Sequence, residues 1–252
     1  MAKRYFKAIV AYHGKAYLGW QFQVQGPTIQ SELERALKTI TQTDTRITSS
    51  GRTDSGVHAL GQVVGFGVDT DLEPAKLRRA LNGNLPQDIR VLELELSHED
   101  FDAIRDAVKK RYRYFIQDGR LQDPFLNDRA WYLPQRLDEV LMQEAADLLR
   151  GEHDFASYQT SGSPRATTVR TIHDFTVRRQ AGQLCDPVVI EVEANGFLYN
   201  MVRNLVGTIA EVGLGKKPKE WPFNIIAEKD RKLAGQTAPA QGLFLVSVDY
   251  GN

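Results

Sequence analysis

The chain has 252 residues, 42% of them hydrophobic and 25% charged, and its 32 Lys and Arg balance 32 Asp and Glu. That balance excludes coating of nucleic acid through bulk charge, though a local basic face remains possible. The one cysteine, Cys185, excludes an intramolecular disulfide and points to a reducing, cytoplasmic compartment. The start, Met1-Ala2-Lys3-Arg4-Tyr5, lacks the apolar core of a signal peptide, and no apolar run approaches a membrane span.

Residues 4–12 alternate as a strand, with Tyr5, Lys7, Ile9 and Ala11 on one side and Phe6, Ala8 and Val10 on the other. A glycine-containing loop with Tyr17 and Trp20 follows. Pro27-Thr28 opens a helix whose apolar face is Ile29, Leu33, Ala36, Leu37 and Ile40. Strands are expected over 45–50, 60–66 and 89–96, with a short helix over 74–82. The charged stretch 97–109 is the expected inter-domain crossing, dividing the chain into residues 1–105 and 106–252. Arg111-Tyr112-Arg113-Tyr114-Phe115-Ile116 reads as a strand, and 137–149 as an amphipathic helix closed by Gly151. Residues 169–179 and 187–194 read as strands joined by Ala181-Gly182. A long helix is expected over 197–212, ended by Gly213 and Gly215, then helix over 218–234 interrupted at Pro222, and a closing strand over 243–248. Each half carries strands and about two helices in mixed order, which predicts an α+β protein with antiparallel sheets.

Gly51-Arg52-Thr53-Asp54-Ser55-Gly56-Val57-His58 is the most informative segment. Two glycines bracket a polar run between strands and can present a side chain at the sheet edge. By spacing alone the favoured reading is a polar hairpin in which Asp54 bonds nearby backbone N–H groups. Asp54 and His58 lie four apart, but Gly56 opposes a helix and no further His or Cys cluster completes a metal shell. There is no Gly-x-Ser-x-Gly elbow. Cys185 has no neighbouring base, and no glycine-rich phosphate loop supports a nucleotide cofactor.

Lys109-Lys110-Arg111-Tyr112-Arg113-Tyr114 places Arg111 and Arg113 on one face and the tyrosines on the other. Arg suits phosphates and an aromatic ring can stack on an unpaired base. Tyr114 reads as core; for Tyr112 the pattern leaves core and base stacking both open. Arg203 sits beside an apolar helical stripe of Leu198, Val202, Leu205, Val206 and Ile209. Such a charge either snorkels or pairs with a carboxylate.

Together these segments resemble the tRNA pseudouridine synthases of the TruA type. That family's hallmark reads Gly-Arg-Thr-Asp-Ala-Gly-Val-His, matched by residues 51–58 except at Ser55. Ordered matches run along nearly the whole chain: Gly19-Trp20-Gln21 with Gln23, Thr28-Ile29-Gln30, Leu85-Pro86, Lys110 to Tyr114, His153-Asp154-Phe155, Met201-Val202-Arg203-Asn204, and Thr237-Ala238-Pro239 with Gly242-Leu243. Three places depart from the family: His13 for Asp, Gly65 for His, and Ile104 for Arg, with Arg105 one position late.

The resemblance implies a pseudouridine synthase fold of two domains with a cleft between them. It implies isomerisation of uridine to pseudouridine at positions 38, 39 and 40 of the tRNA anticodon stem-loop, with no cofactor and no metal. The nucleophilic aspartate maps onto Asp54, the active-site tyrosine onto Tyr112, and the basic partner of the aspartate onto Arg203. Arg52 maps onto the arginine that handles the flipped substrate. These residues are expected to converge in the cleft. The resemblance also implies a homodimer holding one tRNA, with Lys109, Lys110, Arg113, Arg165, Arg170, Arg178 and Arg179 as RNA-facing candidates. Two other functions stand beside this one: a catalytically weak tRNA-binding or RNA-chaperone protein, and a related synthase with other RNA targets.

Overall fold

Alternation along the first ten described residues sets the first sheet. The computed structural model describes residues 3–162, 166–182 and 184–251, so Arg165 lies outside the described residues. By packing, the chain forms two compact units, one running to Val108 and resuming at Phe244, the other Lys109–Leu243.

The first unit runs β1 (Lys3–Tyr12), α1 (Ile29–Thr41), β2 (Thr48–Ser49), β3 (His58–Asp69), α2 (Pro74–Asn84) and β4 (Ile89–Leu96). Phe6, Ala8, Val10 and Tyr12 of β1 are buried, while the residues between them keep some exposure, as a half-buried strand demands. β1 lies antiparallel to both β3 and β4. Thr28 starts α1 with a reciprocal cap: its hydroxyl accepts the Ser31 N–H at 3.1 Å, and the Ser31 hydroxyl oxygen accepts the Thr28 N–H at 3.0 Å. Ile29, Leu33, Ala36 and Leu37 turn inward, and α1 packs on α2, which packs on β4. Only two residues of the strand expected over 45–50 pair, whereas β3 extends well beyond 60–66.

The second unit contains β5 (Lys109–Asp118), β6 (Trp131–Leu133), α3 (Glu139–Asp147), β7 (Gly151–Asp154), β8 (Val169–Arg179), β9 (Val188–Ala194), α4 (Met201–Gly213) and α5 (Trp221–Glu228). Its strands run β5-β9-β8-β7, all antiparallel, with β6 parallel to β5. Tyr112, Tyr114 and Ile116 are buried with Ile190 and Val192 of β9 and Phe175 and Val177 of β8. α3 packs on β8 and against α4. The opposite face is a charge lattice. Arg111 reaches Asp174 and Glu193, each at 3.0 Å, and Arg113 pairs with Glu191. The chain ends in β10 (Leu243–Asp249), where Phe244 and Leu245 pair in parallel with His58 and Ala59 of β3. The α+β class and antiparallel sheets follow the sequence reading. The final strand groups with the first unit rather than the second half, Phe244 and Leu245 lying against β3. Among the described residues no helix is long and apolar enough to cross a membrane.

Two helix expectations need correction. α4 starts at Met201, not 197, because Asn200 adopts a left-handed φ of 59°, which Asn tolerates and a helix does not. Leu198 therefore precedes the helix. Pro222 does not interrupt a helix. It lies in the first turn of α5, where its missing N–H costs nothing. The chain then breaks at Lys229, also left-handed at 50°. The short strands β6 and β7 carry no pattern long enough to predict.

Arg179 is also not a solvent-facing cation. Its Nη1 and Nη2 meet the fully buried carboxylate of Asp118 at 2.7 and 3.1 Å, and Nη2 meets Glu139 at 2.9 Å. The Asp118 carboxylate also accepts the Leu137 N–H at 2.7 Å. Without Arg179 the buried carboxylate keeps only the exposed Arg136, at 3.5 Å, as counter-charge, so most of its compensation is lost. Arg179→Gln is therefore expected to lower unfolding free energy by about 3–5 kcal/mol in urea denaturation, with tRNA affinity of the folded protein unchanged.

Candidate active site

Asp54 is half-buried in the loop between β2 and β3. The loop is clamped from several parts of the first unit. Gln62, fully buried on β3, donates to the Gly51 carbonyl at 2.8 Å and accepts from the Ser50 hydroxyl at 2.6 Å. The Thr53 carbonyl accepts the Trp20 N–H at 3.0 Å, and the Thr53 hydroxyl lies 2.7 Å from that of Tyr12. Burial pushes the Tyr12 hydroxyl up to about 12, so it remains a neutral hydrogen-bonding group. The Ser55 hydroxyl donates to the Tyr17 carbonyl at 3.0 Å. The Gly14 N–H donates to His58 Nδ1 at 3.0 Å.

Glycines permit this closeness. A Cβ on Gly14 would lie 1.9 Å from the Val57 carbonyl oxygen, and one on Gly19 would lie 2.7 Å from that of Thr53. Backbone therefore packs directly on backbone on both sides of Asp54. Arg52 projects from the same loop into solvent, and its guanidinium forms no ion pair among the described residues.

The departures from the hallmark pattern lie around this clamp. The His13 ring centroid is 4.4 Å from that of His58, which itself stacks on Phe244 at 4.5 Å. Phe101 fills the space beside Gly65, 3.2 Å from where a Cβ would sit. Ile104 is exposed, and Arg105 is paired with Asp106 at 2.9 Å. Ser55 adds a tether that alanine could not supply.

Tyr112 and Arg203 belong to the second unit. Tyr112 is 9% exposed, with its ring edge-on to Phe197 at 5.0 Å. Tyr114 is the core residue the alternation predicts, wholly buried with its hydroxyl donating to the Pro239 carbonyl at 2.7 Å. Arg203, in the first turn of α4, donates from Nε to the Ala238 carbonyl at 2.7 Å and from Nη1 to Asn200 Oδ1 at 3.0 Å. In return the Ala238 N–H donates to the Arg203 carbonyl at 3.1 Å. These contacts set the plane of the guanidinium.

The other basic candidates are dispersed. Lys110 is half-buried opposite Ala194. Arg113 is engaged by Glu191, so a phosphate would compete with a carboxylate for it. Arg170 on β8 donates to the Thr167 carbonyl at 3.1 Å, and Lys109 meets Glu193 at 3.1 Å. Arg178 is exposed. The sequence reading missed the groups that hold the site: Tyr12 and Gln62 around Asp54, and Asn204, Arg231 and Thr237 around Arg203. The available signal was a polar amide at a position that the strand period assigns to the core, as at Gln62; Asn204 falls off the apolar stripe of its helix, and its burial carried no such signal.

Residues 8–104 and 145–251 match the family model described as tRNA pseudouridine synthase. The protein named tRNA pseudouridine synthase A of Thermoanaerobacter sp. (strain X514) is 41% identical over 242 residues, 96% of this chain and 98% of that protein. Its namesake in Acetivibrio thermocellus is 42% identical over 248 residues, 98% and 100% of the two chains. The one in Listeria welshimeri is 40% identical over 247 residues, 97% and 98%. Among solved structures, the archaeal box H/ACA sRNP Nop10-Cbf5 complex matches at 14% identity with a TM-score of 0.37, covering 90% of this chain and 59% of that one, too distant to support a conclusion. The family match and these near-full-length relatives make the chain an isomerase that modifies tRNA. The chain belongs to the tRNA pseudouridine synthase family.

The clamp can be tested without touching Asp54. Gln62→Leu removes the amide donor of the Gly51 carbonyl, which keeps only the Ser49 hydroxyl at 3.2 Å, and the side-chain acceptor of the Ser50 hydroxyl, so unfolding free energy is expected to fall by about 1–3 kcal/mol, with catalytic rate falling alongside. Ser55→Ala removes one part-buried hydrogen bond and is expected to cost about 1 kcal/mol, with product formation close to wild type.

Proposed function

We propose that the protein converts uridine to pseudouridine in the anticodon stem-loop of tRNA, at positions 38, 39 and 40, with Asp54 as nucleophile. The observation that carries this reading is the rigid presentation of Asp54 in a chain of this family: its loop is fixed at both ends while its side chain stays half-exposed. The reaction breaks the C1′–N1 bond, turns the base, and joins C5 to C1′. The C5 proton leaves and N1 gains one, so the isomerisation is redox-neutral and needs no cofactor.

An ionised carboxylate attacks without a neighbouring base to activate it, which suits a loop with no second carboxylate. Arg203 pairs with Asp54 and fixes its orientation. Tyr112 stacks on uracil, and its hydroxyl handles the proton lost from C5. A uridine inside a stem must be extruded first, and the uncompensated guanidinium of Arg52 suits a phosphate of the flipped nucleotide. Lys110, Arg113 and Arg170 contact the RNA backbone. The reading places Asp54 from one unit and Tyr112 and Arg203 from the other in a common cleft, in a cytoplasmic homodimer.

Release of tritium from tRNA carrying [5-³H]uridine tests the assignment. Asp54→Asn is expected to slow release by at least about a thousandfold, the scale seen on losing an essential nucleophile, while tRNA binding persists. Survival of activity in that variant sinks the role of Asp54. Undiminished tRNA binding by the wild type with no product at any uridine would favour an RNA-binding protein instead. Arg52→Ala should weaken tRNA binding and reduce the slope of log affinity against log salt by about one.

A further inference from the structure

Arg231 differs in its partners from the arginines committed to carboxylates. Arg179, Arg111 and Arg113 all meet carboxylates. Arg231 is half-buried and meets none among the described residues. Its acceptors are neutral: Asn204 Oδ1 at 2.8 Å and the Thr237 hydroxyl at 2.9 Å, both from Nη2, and the Ala234 carbonyl at 3.4 Å from Nη1. Desolvation holds its guanidinium below the ordinary arginine range. Desolvating a charge without a counter-charge costs stability, and what distinguishes Arg231 is that two of its acceptors are side chains leading to Arg203.

Two arms lead from Arg231 to Arg203. In the first, Arg231 and Asn204 both grip Thr237, whose hydroxyl donates to Asn204 Oδ1 at 2.7 Å. The next residue, Ala238, supplies the carbonyl that takes Arg203 Nε and the N–H that returns to the Arg203 backbone. In the second, the Asn204 amide donates to the Tyr158 carbonyl at 2.8 Å and to the Thr160 hydroxyl at 3.3 Å. That hydroxyl also accepts the Asn200 amide at 3.3 Å, and Asn200 Oδ1 takes Arg203 Nη1. Asn204 is wholly buried on α4, one residue after Arg203. The two arms meet the guanidinium of Arg203 on different nitrogens, so together they fix both its plane and its rotation.

We infer that Arg231 is a positioning residue for Arg203, gathering Asn204 and the 237–238 segment into the ring of hydrogen bonds that aims the Arg203 guanidinium. The inference rests on the proposed pairing of Arg203 with Asp54. Arg231 touches neither substrate nor Asp54 in this role. A lysine at 231 keeps the charge but lacks the fork that reaches Asn204, Thr237 and Ala234 together.

The test is a double-mutant cycle read by tritium release from [5-³H]uridine tRNA, using Arg231→Gln, Arg203→Lys and the double variant of the full-length protein. Arg231→Gln is expected to lower kcat by up to about a hundredfold, the scale of an approximately 1 Å misplacement, with KM for tRNA within about threefold of wild type. If Arg231 acts through Arg203, the double variant is no slower than Arg203→Lys alone. Independent losses that multiply overturn the inference, as does a fall confined to KM. Should Arg231→Gln fail to fold, Thr237→Val cuts the same arm while leaving Arg231 in place, and the same cycle applies. A wild-type rate in Arg203→Gln, which removes the cation, would remove the underlying pairing. A slow Arg203→Lys beside wild-type rates in Arg231→Gln and Thr237→Val would remove only the positioning role.

Discussion

The hydrogen bonds of Gln62 hold the most consequential loop of this molecule in place. A loop that carries a reactive side chain must leave that side chain accessible while its backbone stays fixed. Its own polar groups cannot meet both demands, because they have no ladder to join. Here the fixing groups come from elsewhere in the first unit: an amide from within β3, a neutral phenol at the end of β1, and the backbone of the 14–20 segment. Burial strengthens each of these contacts, because an unmet donor or acceptor there would be costly. The surrounding core, Phe6, Val10, Leu33 and Leu37 among it, thereby determines the position of a half-exposed carboxylate.

The second unit solves a matching problem with a cation. Arg203 lies in the first turn of a helix, on a side chain with several rotatable bonds. Left to itself, such a group spreads over many rotamers. Ala238 and Asn200 take two of its nitrogens at fixed angles, and the peptide of Ala238 also bonds the Arg203 backbone. Loop and helix thus hold one another, and the left-handed turn at Asn200 that delays the start of α4 brings its side-chain oxygen to Arg203.

Charge placement follows the same division. The overall neutrality of the chain conceals a sheet face where Arg111 and Arg113 are already engaged with Glu191, Glu193 and Asp174. Arg179 is committed to Asp118 in the interior. Arg52, by contrast, stays clear of carboxylates on the Asp54 loop. The chain's basic residues therefore have different tasks, and the partners that packing supplies decide which.

The sequence by itself determined the local elements whose signals are local. Alternation gave β1 and sorted Tyr114 into the core; the Thr28 cap and the 3.6-residue period gave α1; the run from Gly51 to His58 marked the loop, and ordered family motifs marked Asp54, Tyr112 and Arg203. Where the outcome depended on a single backbone angle or on contacts distant in sequence, local pattern was not enough. The apolar residues before Met201 continue the helical period, yet Asn200 breaks the helix, and Pro222 begins one where the pattern placed a break. The pairing of β10 with β3, the clamp of Gln62 on Gly51, and the ring joining Arg231 to Arg203 were decided only by tertiary structure. Each couples groups brought together by packing, and no one-dimensional pattern records which buried amide faces which carbonyl.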